Sequence, residues 1–115
     1  MPNDIFLFKH FAIRQDRCAL KVGTDGVLLG AWTDYAGARR VLDIGTGTGV
    51  LALIAAQRNG EALIDAVEID DDAAEQAAEN AAASPWADRV RVHRMDVRRL
   101  AASDPYDLII CNPPF

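Results

Sequence analysis

Asn112-Pro113-Pro114-Phe115 is the stretch of this sequence whose residue types narrow the chemistry most. An adenine or amide nitrogen is a poor nucleophile, because its lone pair is delocalised into the adjoining π system. Two acceptors, the Asn112 side-chain oxygen and the Pro113 carbonyl, can hold the two hydrogens of such a nitrogen. That arrangement favours pyramidalisation and stabilises the positive charge that builds as an electrophile arrives. The two prolines stiffen the loop, and Phe115 offers a face on which a flipped base can stack.

A second group of residues suits a nucleoside-containing ligand. Asp43-Ile44-Gly45-Thr46-Gly47-Thr48-Gly49-Val50 falls where a strand gives way to a helix. Glycines there allow left-handed backbone and close approach of a ligand, and the helix start supplies unpaired N–H groups. Nicotinamide and flavin sites use the same device. The spacing here is Gly-x-Gly-x-Gly rather than Gly-x-Gly-x-x-Gly, which disfavours a pyrophosphate-binding loop. Glu68, at the end of the next apolar stretch, can accept hydrogen bonds from both hydroxyls of a ribose. Asp96, after a third stretch, can accept from an adenine amino group.

The elements that must hold these residues follow from hydrophobic pattern and turn signals. Strands are expected at Arg40–Ile44, Leu63–Ile69, Val90–Met95 and Asp107–Cys111, with helices at Val50–Arg58 and from the Asp70-Asp71-Asp72 run to near Ser84-Pro85. Strands alternating with helices imply a parallel α/β sheet. Val41-Leu42 and Leu108-Ile109-Ile110 are continuous apolar runs, suited to strands covered on both faces, whereas Val90-Arg91-Val92-His93 alternates as an edge strand does. The expected strand order is therefore 3-2-1-4, with the ligand at the switch point between strands 1 and 4. Before the first of these strands, Ile5–Ile13 and Cys18–Val22 read as a short hairpin around Arg14-Gln15-Asp16-Arg17. Thr24 reads as the cap of a helix that ends near Gly37.

Composition narrows the class further. Of 115 residues half are hydrophobic and a quarter are charged, and the formal net charge is −5. This is ordinary globular composition. It is not the basic balance usual in nucleic-acid binders, although Arg89, Arg91, Arg94, Arg98 and Arg99 crowd one segment while the acids gather between Glu61 and Glu79. No apolar run reaches the ~20 residues needed to span a bilayer, and no secretory signal opens the chain, so a soluble cytoplasmic protein without membrane contact is expected. Cys18 and Cys111 form no Cys-x-x-Cys pair and are read as reduced, core-type thiols. His10 and His93 lack metal-ligand spacing, and no metal site is expected.

Taken together, the glycine turn, Glu68, Asp96 and Asn112-Pro113-Pro114-Phe115 resemble the class I S-adenosylmethionine-dependent methyltransferases that carry an Asn-Pro-Pro-aromatic motif. The resemblance covers residues 40–115 and implies a Rossmann-like sheet. It implies that Asp43, Gly45 and Gly47 line the methionine and ribose part of the cofactor, that Glu68 takes the ribose hydroxyls, Asp96 the adenine and Asn112 the target amine. Phe115 replaces a frequent tyrosine, keeping the stacking face without the hydroxyl. The stretch from Asp16 to Trp32, with Lys21-Val22-Gly23-Thr24-Asp25-Gly26 at its centre, and Ser84-Pro85-Trp86 are similar to the bacterial family that methylates adenine N6 beside the anticodon of a valine tRNA. In amino-methyltransferases a Gly-Thr turn before the first strand packs over the methionine end of the cofactor, which marks Lys21, Gly23 and Thr24 as candidate cofactor contacts.

The resemblance implies two parts, an extension at residues 1–39 packing over the cofactor site and a methyltransferase domain at residues 40–115. The uncovered apolar fourth strand suggests a domain truncated at its C-terminal end. The expected function is methyl transfer from S-adenosylmethionine to adenine N6 in tRNA. A glutamine-amide methyltransferase acting on release factors shares the chemistry but would carry a separate helical domain ahead of the first strand. A nicotinamide-dependent oxidoreductase and a cofactor-binding fragment without activity are the other readings.

Overall fold

In the computed structural model, residues 4–18, 21–100 and 105–112 are described. They form strands β1 (Ile5–Leu7) and β2 (Ala12–Arg14), helix α1 (Thr24–Trp32), strand β3 (Arg40–Ile44), helix α2 (Val50–Arg58), strand β4 (Leu63–Glu68), helix α3 (Asp71–Ala82), strand β5 (Val90–Arg94), a single 3-10 turn (Val97–Arg99) and strand β6 (Leu108–Cys111). Four strands make a parallel sheet in the order β5-β4-β3-β6, which is the order expected from strand texture. In register, Ile44 lies opposite both Val67 and Cys111, so the carboxyl ends of β4, β3 and β6 open onto one place.

Helix α2 is apolar all round because it is covered all round: every residue from Val50 to Ala56 is buried. The sheet supplies Val41, Ile64, Val90 and Ile110 to this core, and the N-terminal segment adds Phe11, Ile13 and Tyr35. Helix α3 is amphipathic instead. Ala73, Ala74, Gln76, Ala77, Asn80 and Ala81 face inward, while Glu75, Ala78 and Glu79 are exposed. Arg89 locks the far end of α2, donating to the carbonyls of Ala56, Asn59 and Ala62 at 2.7–2.8 Å. Of the late arginines, Arg91, Arg94, Arg98 and Arg99 are exposed. Arg89 is spent on helix carbonyls, Arg94 pairs with Asp71 and Arg98 with Asp96.

Three expectations about the N-terminal segment are corrected. The hairpin pairs β1 with β2, so its turn falls inside the stretch Ile5–Ile13 that hydrophobicity alone presents as one strand. Phe8 N–H donates to the Phe11 carbonyl at 2.8 Å and the two rings stack at 4.6 Å, so aromatic packing closes a turn that lacks glycine or proline. Lys21 and Val22 are not in a strand; the Val22 N–H donates to the Gln15 side chain and the Lys21 ammonium to the Gln15 carbonyl. Helix α1 is capped by Gly23, with Thr24 as its first residue, and it ends at Trp32, where the Thr33 N–H and hydroxyl both turn back to the Leu29 carbonyl. Cys18 is buried as expected of a core thiol, but Cys111 is exposed on β6, a strand that borders the described sheet.

Candidate cofactor and methyl-acceptor site

The turn after β3 is built by backbone geometry and braced on two sides. Gly45 and Gly47 have φ of 68° and 55°, a left-handed backbone that side-chained residues rarely adopt. An added Cβ at either would meet nothing within 4 Å. The turn is thus bare toward the cleft, with room a ligand can fill. The Gly45 and Thr46 N–H groups donate to the Val67 carbonyl at the end of β4. Glu68, one residue further, accepts from the Gly47 N–H at 2.8 Å and from the Asp70 N–H at 3.1 Å. The same carboxylate that the sequence marks for a ribose therefore lies against the glycine turn.

Asp43 takes a different place from the other candidates. Its side chain is fully buried beneath the turn, where Oδ2 accepts from the Thr46 hydroxyl at 2.6 Å. Its Oδ1 is buried with no hydrogen-bond partner among the described residues. Burial raises its pKa from 3.8 to about 7, against the opposing pull of the Thr46 hydroxyl and the Ala52 N–H. Asp43 therefore supports the turn from below and does not present its carboxylate to the cleft.

The cleft itself joins the N-terminal segment to the sheet. Lys21, Gly23 and Gly26 line it together with Gly45, Thr46 and Gly47 of the turn and Asn112 after β6. Helices α1 and α2 both begin here, and their N-cap residues Gly23 and Gly49 have no side chain to cap them. In α2 the Ala52 N–H turns to the buried Asp43, while the starts of both helices lie beside the cleft. Helix α3, by contrast, has Asp70 accepting from the Ala73 N–H at 2.9 Å. Uncapped helix starts carry partial positive charge and favour an anionic group such as a carboxylate.

The structure thus brings Lys21, Gly23, Gly45, Gly47 and Asn112 to one cleft, with Glu68 bonded to its glycine turn. It sets Thr24 apart, in an adjoining apolar pocket walled by Phe6, Val22, Val27 and Leu28. Asp96 caps the 3-10 turn and is held by Arg98 at 2.5 Å, which keeps its carboxyl down at about 2. Pro113 and Phe115 lie outside the described residues. Sequence reasoning passed over Gly26, which sits within a helix and breaks no pattern. It also passed over Asn80, hidden in an alanine-rich helix. Asn80 is buried and bonds three backbone groups: the Arg14 N–H, the Arg14 carbonyl and the Thr48 carbonyl of the glycine turn.

Comparison with known proteins shows the family and the fold. The family model described as Methyltransferase small domain matches residues 20–115. A protein of Tolumonas auensis is 60% identical over the whole chain, and one of Klebsiella pneumoniae 54%; both are named tRNA1(Val) (adenine(37)-N6)-methyltransferase. The chain spans about half the length of these curated relatives, 48% in each case. Among solved structures, TYW2 of P. horikoshii in complex with MeSAdo superimposes with a TM-score of 0.74 at 21% identity, over 91% of this chain and 40% of that one, a likeness of fold alone. The methyltransferase domain of METTL16 superimposes with a TM-score of 0.70 at 27% identity, over 84% of this chain and 48% of that one.

Proposed function

Because the chain belongs to the methyltransferase small-domain family, we propose that it is the cofactor-binding part of an enzyme that methylates N6 of adenine 37 in a valine tRNA, with S-adenosylmethionine as methyl donor. The observation that carries this reading is the position of Asn112, at the end of β6 and in the same cleft as Gly45 and Gly47. An acceptor for an amino group and a bare glycine turn for a nucleoside-containing cofactor meet there. The choice of tRNA rests on relatives 53–60% identical along the chain.

The residues present fit the cofactor. Its sulfonium, when bound, supplies an electrophilic methyl group. Glu68 accepts from the ribose hydroxyls, exchanging its bond to the Gly47 N–H for them. Gly45 and Gly47 let the backbone approach, with Asp43 acting on the turn through Thr46. Lys21, Gly23 and the uncapped starts of α1 and α2 receive the carboxylate of the methionine part. Asp96 holds the adenine once its carboxylate is released from Arg98. Asn112, with the Pro113 carbonyl, holds the two N6 hydrogens, and Phe115 stacks on the base. Residues 1–39 then form the extension over the cofactor and residues 40–115 the methyltransferase domain. Such an enzyme works in the cytoplasm, where tRNA is matured. No helix among the described residues is long and apolar enough to cross a membrane.

The test is methyl transfer from labelled S-adenosylmethionine by the full-length protein, offered unmodified valine tRNA, the same tRNA with guanosine at position 37, and a glutamine-containing release-factor peptide. Label in the first alone is expected. Asn112→Ala should lower kcat by ~10²-fold or more with cofactor affinity barely changed. Transfer to the peptide, or near-normal turnover by the variant, would overturn the assignment.

A further inference from the structure

Helix α1 contains two buried glycines, Gly26 and Gly30, where alanine would make a better helix. Neither has a positive φ, so neither is needed for an unusual backbone conformation. Gly30 is explained by packing: an added Cβ would lie 2.8 Å from Ile54 Cδ1 and 3.2 Å from Leu51 Cδ2, so only a bare Cα lets α1 cross α2 this closely. Gly26 has no such neighbour. Beyond its chain neighbours and its own helix backbone, the one described atom within 4 Å of an added Cβ there is Asn112 Nδ2, at 3.2 Å. Gly26 and Asn112 both line the cleft that holds the glycine turn.

We propose that Gly26 is a positioning residue for amino-group methylation: its missing side chain leaves the space in which the Asn112 amide is seated, so that helix α1 sets the orientation in which Asn112 meets the target nitrogen. This inference rests on the methyltransferase reading of Asn112. A methyl group at residue 26 would press on the amide at 3.2 Å, closer than ordinary van der Waals contact, and the amide would move by a few tenths of an ångström. Asn112 is exposed, so its side chain can yield with little effect on folding. Orientation would not survive as well. An acceptor that must meet an N–H in line loses effect steeply with displacement, and shifts on the order of 1 Å cost ~10²-fold in rate. The extension thereby acts on the reaction through a residue with no side chain of its own.

The experiment uses the full-length protein with Gly26→Ala, Gly30→Ala, Asn112→Ala and the Gly26→Ala/Asn112→Ala double variant. Gly26→Ala should lower kcat for valine tRNA by ~10-fold or more, with the dissociation constant for S-adenosylhomocysteine unchanged and the melting temperature not lowered. Gly30→Ala should lower the melting temperature instead. The double variant should turn over no more slowly than Asn112→Ala alone, because the added methyl group then has no amide to displace. The side-chain amide resonances of Asn112, identified by their loss in Asn112→Ala, should shift in Gly26→Ala. Unchanged kcat, a further loss in the double variant, or a fall in melting temperature matching the fall in rate would overturn the proposal. If the wild-type protein methylates no tRNA, the functional reading fails by itself. The resonance shift still decides whether residue 26 sets the Asn112 amide, and unshifted resonances refute it.

Discussion

At the scale of single residues, Asp43 shows how a binding motif can carry a buried acid. In an unfolded chain its carboxyl titrates near 3.8, and in the fold near 7. As pH rises, the unfolded chain loses this proton first. The folded state therefore binds more protons between about pH 4 and pH 7, and stability falls with pH across that window. Asp43's contribution is fully present below the unfolded pKa and is gone once pH passes the folded one. The Asp43→Asn variant has nothing to ionise at this position, yet keeps an acceptor for the Thr46 hydroxyl. Urea denaturation at several pH values should show the wild type losing stability relative to Asp43→Asn from about pH 4 to pH 7, then levelling off. Parallel profiles for the two proteins would mean that Asp43 titrates normally. Cys18 is a quieter case of the same physics. Burial, with the charge of Glu68 nearby, pushes its thiol to about 11, so it stays protonated and unreactive.

At the scale of elements, α3 ties the N-terminal segment to the sheet through two amides one helical turn apart. Gln76 accepts from the Arg17 N–H at 2.9 Å and donates to Asp16 at 2.7 Å. Asn80 bonds both polar backbone groups of Arg14 and the Thr48 carbonyl. Arg17 reaches back to Glu75 and Glu79 on the same helix, an exposed pairing that adds little beside the buried amides. A buried backbone group left without a partner costs about 1–3 kcal/mol. Asn80→Ala strands several at once and should lower the unfolding free energy by ~2–4 kcal/mol, measured by chemical denaturation. A change below ~1 kcal/mol would mean that water replaces the amide and that the tie is weak.

Across the whole molecule, the same amide makes the glycine turn and the hairpin neighbours in energy. Asn80 touches Thr48 in the turn and Arg14 in β2, so a ligand that fixes the turn also restrains the hairpin. Hydrogen exchange should therefore slow at the Arg14 amide when S-adenosylmethionine binds, although Arg14 lies outside the cleft. Glu68→Ala, which removes charged hydrogen bonds worth ~1–3 kcal/mol, should move this protection to higher cofactor concentration. Protection confined to residues 45–51 would show that the turn and the hairpin move independently.

The sheet and its helices were legible in the sequence because their signals are local. Apolar runs of strand length, an alanine-rich helix opened by Asp70-Asp71-Asp72 and a glycine turn between them give β3 to β6, α2 and α3 nearly to the residue. Strand order followed from texture only in part: Val90–Arg94 alternates and lies at an edge, whereas Leu108–Cys111, an apolar run suited to a strand covered on both faces, borders the described sheet with Ile109 exposed. Spacing likewise marked Gly45, Gly47, Glu68 and Asn112, since a turn that must lie bare and acids or amides at strand ends leave a trace in sequence. The N-terminal segment is not legible in this way, for the opposite reason. Its hairpin turn is closed by Phe8 stacking on Phe11 and its later residues are shaped by the Gln15 side chain, contacts that no local pattern announces. That Asp43 sits under the turn, that Arg98 occupies Asp96 and that Gly26 meets Asn112 from the other end of the chain are likewise settled only when the chain packs. Local chemistry chooses the elements and names the reactive groups; burial and long-range contact decide which of those groups face the ligand.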